Sequence, residues 1–269
     1  MRKWLVILLA ATVSFAACVG QKEDPEEFDS SQQGNTQEPS GALEGTVFYH
    51  RVLALGFTAT WCQYCPNMSE AIEDASAQRP GRIIPLSVHY MDELSPAEAV
   101  SISSAFGVSE YPSLIFDLDG GTLNGGQDPS RIVEYVDVAL KAAPCGISAE
   151  SAVEDGTLKL DVIVKAVKDA TYTVAAAWAQ DGVSVAQQAG YGPGYVCKAV
   201  LRGYLDPGTE GRALHPLKEG DEGMVSFQAA IPDFENLYIV VYVLEDGKAV
   251  NAIRLTPGEI IPFEYEKTE

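Results

Sequence analysis

Two cysteines separated by two residues, Cys62 and Cys65, are the side chains of this sequence best suited to chemistry. They lie in Phe57-Thr58-Ala59-Thr60-Trp61-Cys62-Gln63-Tyr64-Cys65-Pro66, after the apolar run Val52-Leu53-Ala54-Leu55-Gly56-Phe57. A segment with helical spacing follows. That order puts Cys62 at or just before a helix N-terminus, where unpaired N–H groups and the helix dipole stabilise a thiolate, the form that attacks disulfides. Cys65, about one turn further on, can close an internal disulfide and release a mixed-disulfide intermediate. The competing readings are an inert structural disulfide and half of a zinc site. A structural zinc needs a second pair of ligands, and no second pair with suitable spacing is present.

The elements that must position this pair are legible around it. A strand is expected over residues 51–57. Pro66 suits the first turn of a helix running to about Gln78, with Met68, Ala71, Ile72 and Ala75 on one face. Pro80-Gly81 breaks the chain, and residues 83–89 form a short apolar run suited to a central strand. Ser95-Pro96-Ala97-Glu98 reads as a helix start, with Gly107 as its end. Residues 113–118 and Thr122-Leu123 read as a hairpin across Asp119-Gly120-Gly121. Asp128-Pro129-Ser130 opens a last helix carrying Ile132, Val133, Val136 and Leu140. After Pro144-Cys145-Gly146 the pattern turns to strands alone: residues 158–164, 172–178, 224–230 and 238–244 alternate with period two.

Trp61-Cys62-Gln63-Tyr64-Cys65-Pro66 resembles the WCxxC active site of thioredoxin-like proteins, and Glu110-Tyr111-Pro112-Ser113 resembles their cis-proline loop. The resemblance implies a thioredoxin fold over residues 45–144, with Cys62 as nucleophile and Cys65 as resolving thiol. Trp61 then covers the sulfurs, Gln63 and Tyr64 tune the potential, and a cis bond before Pro112 holds Tyr111 beside the pair. One position departs from that pattern. Thioredoxin carries a buried acid six residues before its first cysteine, where this chain has Gly56. His89, at the end of the second expected strand, is the candidate proton relay in its place, the alternative being a histidine simply hydrogen-bonded at a strand end. A thiol pair with a histidine could also hold Cu(I), but thioredoxin-like copper chaperones separate their cysteines by three residues.

Outside this domain, Arg2 and Lys3 precede an apolar stretch, and Phe15-Ala16-Ala17-Cys18 resembles a bacterial lipobox with Phe in an aliphatic position. The resemblance implies a signal peptide over residues 1–17, lipidation of Cys18 and a membrane anchor. Residues 18–44 turn polar and acidic and read as a tether. With Cys18 lipidated, four of the five cysteines remain. Cys62 and Cys65 form one pair. Cys145 and Cys197, the even remainder, are then expected to form a structural disulfide, the alternative being two buried free thiols.

The expected architecture is therefore an α/β thioredoxin-like domain followed by an all-β, Ig-like sandwich over residues 145–269. The whole resembles the outer membrane protein 28 family of Bacteroides-type bacteria, whose members are described loosely as thiol-oxidoreductase-like. A formal charge of −20 argues against nucleic acid and against adsorption to anionic lipid surfaces. The expected function is a membrane-anchored thiol–disulfide oxidoreductase at the outer membrane or cell surface. Its partners are protein thiols and a redox protein, and it uses no cofactor or metal beyond its own disulfide. The alternative is a surface binding or adhesion lipoprotein in which the thioredoxin-like domain is structural.

Overall fold

The computed structural model describes residues 47–119, 122–125, 128–140, 143–205 and 209–267. The signal segment, Cys18 and the tether lie outside the described residues. β1 (Val52–Thr58) is apolar on both faces and is central. It runs parallel to β2 (Ile83–His89), in register from Val52↔Ile83 to Thr58↔His89, and antiparallel to β3 (Ser113–Phe116). Between these strands lie α1 (Cys65–Gln78) and α2 (Ala99–Ala105). β4 (Thr122–Asn124) pairs antiparallel with β3 as the expected hairpin, and α3 (Pro129–Ala139) follows. Asp128 caps α3, its carboxylate accepting the Ser130 N–H at 2.9 Å. The order β-α-β-α-β-β-α is that of the thioredoxin fold.

α2 starts three residues later than its expected proline. Ser95 is not its cap: the Ser95 hydroxyl is bonded into the side chain of Asp92, and the helix begins only after Glu98. A carboxylate acceptor close by outcompetes the helix for that hydroxyl.

Every element after residue 144 among the described residues is a strand. These are β5 (Cys145–Glu154), β6 (Thr157–Ala166), β7 (Thr173–Gln180), β8 (Val183–Ser184), β9 (Val196–Cys197), β10 (Val200–Tyr204), β11 (Arg212–Ala213), β12 (Glu222–Ala230), β13 (Leu237–Glu245), β14 (Lys248–Leu255) and β15 (Ile260–Ile261). They do not build a separate Ig-like sandwich. The strand order β14-β13-β7-β10-β2-β1-β3-β4 is one continuous sheet, joined where Val200 on β10 pairs with Ser87 on β2. Apart from it, among the described residues, stand the four-stranded sheet β12-β6-β5-β15 and the two-stranded sheet β8-β9.

Side-chain alternation shows how the large sheet folds over on itself. Leu53, Leu55 and Phe57 of β1 share a core with Ala175 and Ala177 of β7 and with Tyr238, Val240 and Tyr242 of β13. The opposite face of β1, Val52 and Ala54, packs on Met68, Ala71 and Ala75 of α1 and on Ile132 and Val136 of α3. The opposite face of β7 and β13, including Val174, Trp178, Ile239 and Val241, packs on Leu158, Leu160 and Val162 of β6. The result is four layers: helices, the β1 part of the sheet, its β7–β13 part, and the small sheet. A register shift between Leu201 and Gly203 lies at the fold, where an irregular pairing bends the strand. Each fully buried Leu, Ile or Phe in these layers contributes about 1.5–3 kcal/mol. The β7–β13 layer thus covers the face of β1 that the short α2 leaves open.

Candidate redox site

β1 delivers the chain to the site and α1 leads away from it, so the loop between them carries the sulfurs at the edge where β1 and β2 end. Cys62 and Cys65 are joined as a disulfide with Cα atoms 5.5 Å apart. Cys62 precedes the helix, Tyr64 occupies the N-cap position, and Cys65 is the first helical residue with Pro66 behind it. Both cysteines are nearly buried, Cys62 at 5% exposure and Cys65 at 2%, and they pack with Ala59 and Tyr111. Their immediate surroundings are exposed: Trp61 at 50% and Tyr64 at 55%.

The peptide bond between Tyr111 and Pro112 is cis. Tyr111 stacks on Tyr90 at 5.2 Å and meets the Trp61 ring edge-on at 5.4 Å. The Trp61 indole N–H donates to the Tyr90 carbonyl at 3.0 Å. Of these three rings, Tyr111 packs directly on the two cysteines. An open groove of about 470 Å³ lies beside them, lined by Tyr64, Glu110, Tyr111, Pro112 and Gly125. The structure thus brings together Trp61, Cys62, Tyr64, Cys65, Pro66, Tyr111 and Pro112, and Gln63 sits in the same loop.

Gly56 lies on the helix-facing side of β1. A Cβ there would meet only apolar atoms, Ile72 at 3.9 Å and Leu114 at 4.0 Å, so the acid's place is filled by packing. His89 is buried at the end of β2, opposite Thr58. Its Nδ1 lies 2.8 Å from Asp92 Oδ2. Burial alone would raise the Asp92 carboxyl, but the His89 contact and the N–H groups of Thr60 and Leu94 hold it below the usual carboxylate range. An ionised carboxylate only accepts, so His89 Nδ1 carries the proton that it receives. A void of about 10 Å³, near the lower limit for one water, is bounded by Pro66, His89, Gln188 and Cys197 among others.

The expected Cys145–Cys197 disulfide is corrected: both are buried free thiols. Cys145 belongs to the core between the two sheets, whereas Cys197 packs with Leu94, Val185 and Val200. Burial pushes the Cys197 thiol up to about 11 and that of Cys145 higher still. Among the described residues, no group of three or more His, Cys, Asp and Glu side chains is placed to hold a metal ion.

One contributor was missed from the sequence. Residues 185–194, between β8 and β9, lie against the CxxC loop. The Ala189 N–H donates to the Thr60 carbonyl at 2.8 Å, and the Tyr191 hydroxyl bonds Asn67 at 3.0 Å. The run Gly190-Tyr191-Gly192-Pro193-Gly194 signals tight turns. Nothing in it says which surface those turns cover.

A CxxC disulfide at the start of α1, a cis-proline loop against it and the β-α-β-α-β-β-α order define a thioredoxin-like, thiol–disulfide oxidoreductase-like fold. No protein-family model matches the chain, and no curated protein matches it. Among solved structures the chain is similar to HBP35 of Porphyromonas gingivalis, with a TM-score of 0.70, 18% identity, and coverage of 82% of this chain and 80% of that one. It is also similar to a crystal structure of a protein from Agrobacterium tumefaciens, with a TM-score of 0.53, 14% identity, and coverage of 81% and 99%. At these identities the likeness is one of fold. Because both matches span about four-fifths of this chain, it includes the extended sheet as well as the CxxC region.

Proposed function

We propose that this protein is an exported, lipid-anchored thiol–disulfide oxidoreductase acting on protein thiols or disulfides outside the cytoplasm. The observation that carries the reading is the Cys62–Cys65 disulfide at the start of α1, beside an open groove lined by the Tyr111-Pro112 loop. In the oxidising direction a substrate thiolate attacks the Cys62 sulfur. The Cys62–Cys65 bond breaks, and Cys65 leaves as a thiolate that takes up a proton. A second substrate thiol then attacks the mixed disulfide, so the substrate loses two electrons and the pair gains them. The reducing direction is the reverse, with Cys65 resolving the intermediate. The relative potentials of pair and substrate set the direction.

His89 serves in this reading as the proton carrier for the second cysteine, its ring held through Nδ1 by Asp92. The reaction needs no bound cofactor. A redox protein that regenerates the pair is the required partner. The lipobox-like Phe15-Ala16-Ala17-Cys18 and the acidic segment after it support an outer-membrane or cell-surface location, as does the resemblance to the outer membrane protein 28 family. Replacing Cys62 by Ser is expected to abolish turnover of insulin disulfides with dithiothreitol. Equal turnover in the variant rejects the assignment.

A second reading, a surface binding lipoprotein, is favoured by one observation. Met224 and Ile260, 61% and 63% exposed, border a shallow groove of about 310 Å³ on the outer face of the small sheet. An unreactive Cys62–Cys65 bond would favour it.

A further inference from the structure

Gln188 is 2% exposed and has no part in the exchange chemistry itself, yet it is bonded to the loop that performs it. Its side-chain Nε2 donates to the Cys62 carbonyl at 2.9 Å and to the Ala59 carbonyl at 3.3 Å. Both partners can only accept, so the amino half of the amide must face them. The backbone on either side holds the donor in place. Ala189 is bonded to Thr60 at 2.8 Å. Gly190, at φ +81°, lies so close to Gln63 that a Cβ would come within 3.2 Å of the Gln63 carbonyl. Tyr191 ties the far end of the segment to Asn67 and Glu70 of α1.

We propose that Gln188 is a positioning residue that sets the reduction potential of the Cys62–Cys65 couple. The proposal rests on the thiol–disulfide reading of the site. The Ala59 and Cys62 carbonyl oxygens carry partial negative charge in the loop that holds the reacting sulfur, where Ala59, Cys62 and Cys65 pack together and water is largely excluded. When two electrons enter the disulfide, Cys62 becomes the thiolate that the start of α1 stabilises, and nearby carbonyl oxygens oppose that charge. A buried N–H donor draws on both oxygens at once, and in a low-dielectric setting such a bond counts for more than in water. The donor therefore favours the reduced pair over the disulfide. Gln188 lies 126 residues from Cys62 in the chain, so the segment between β8 and β9 takes part in tuning the site.

The test is a redox titration of the full chain in glutathione buffers. Two glutathione thiols become one glutathione disulfide as the pair accepts two electrons, and the reduced fraction is read by alkylation and mass. Gln188→Met keeps the length and removes the donor. The expected result is a shift of about tenfold in the equilibrium constant toward the disulfide, ~30 mV more negative. The pH midpoint for alkylation of Cys62 in the reduced protein should rise with it. Gln187→Met, which alters an amide bonded to the Gln188 carbonyl, should leave both values unchanged. If Gln188→Met does not fold, Gln188→Asn, which withdraws the donor by one methylene, carries the same expectation. Equal potentials in the folded variant and the wild type overturn the proposal. Insulin turnover by the wild type is scored separately. Its absence together with a shifted potential sinks the oxidoreductase reading but not the role of Gln188.

Discussion

Thr60 donates its backbone N–H to Asp92 Oδ2 at 2.7 Å, the same oxygen that lies 2.8 Å from His89 Nδ1. The residue two positions before Cys62 is thus held from below by a carboxylate and from above by the Ala189 N–H on its carbonyl. Asp92→Ala leaves the Thr60 and Leu94 N–H groups without this acceptor and is expected to destabilise the fold by about 1–3 kcal/mol in urea at pH 7. Because the folded carboxyl is held below its ordinary value, its contribution is present above pH about 4 and is lost as pH falls through the folded value. A variant with unchanged stability at pH 7 contradicts this clamp.

His89 separates proton transfer from potential. His89→Gln keeps a donor for Asp92 but removes the basic ring nitrogen. Resolution of a trapped mixed disulfide should slow by roughly 100-fold near neutral pH, the lower end of what a positioned acid or base supplies. The equilibrium potential should barely move. Single-turnover kinetics with equal rates would make His89 a packing residue.

Two buried groups give stability opposite dependences on pH. Burial pushes the Asp117 carboxyl up to about 7, against the opposing bond from the Leu53 N–H at 2.9 Å. It stays protonated in the fold while the unfolded chain ionises, so its contribution weakens stability as pH rises from about 4 to 7. Burial, then the Arg82 charge, lowers His50 to about 4. The unfolded chain takes up that proton first, so this contribution weakens stability as pH falls from about 6.5 to 4. Relative to wild type, Asp117→Asn should gain stability progressively from pH 4 to 7, by up to about 4 kcal/mol, since each tenfold change in proton affinity is worth ~1.4 kcal/mol. His50→Leu should gain it in the opposite direction. Denaturant titrations in which either difference stays constant from pH 4 to 8 rule out that residue's contribution.

Cys145 and Cys197 should resist iodoacetamide in the native protein at pH 8, because both are buried and their thiols are held un-ionised. In denaturant without reductant both should be alkylated. Peptide mapping that recovers them disulfide-linked contradicts the structure.

The CxxC loop, the hairpin and the Asp128 cap were legible because each is written in a few adjacent residues. What failed depends on distant partners. Residues 172–178 alternate with period two, which reads as a strand with one wet face. In the structure β7 is buried on both, Ala175 and Ala177 against β1 and Val174 and Trp178 against the small sheet. Alanine on one face and larger residues on the other look like polarity alternation until both layers are known. The union of the β7–β13 and β1 parts of the large sheet rests on one pairing, Val200 with Ser87, which leaves no local mark. Cys145 and Cys197 were paired by counting, and counting carries no information about which core each thiol occupies. Gln188 was invisible for the same reason: a glutamine before a glycine-rich turn does not reveal that it ends on Cys62.

The central claim is that the Cys62–Cys65 bond is poised to exchange with other proteins' sulfurs. Its reduction potential, measured on the wild-type chain against glutathione, is the most direct test. A value between about −270 and −120 mV, the range spanned by thioredoxin and the strong oxidant of its superfamily, is what this site predicts. A value below about −300 mV, as structural disulfides show, contradicts it.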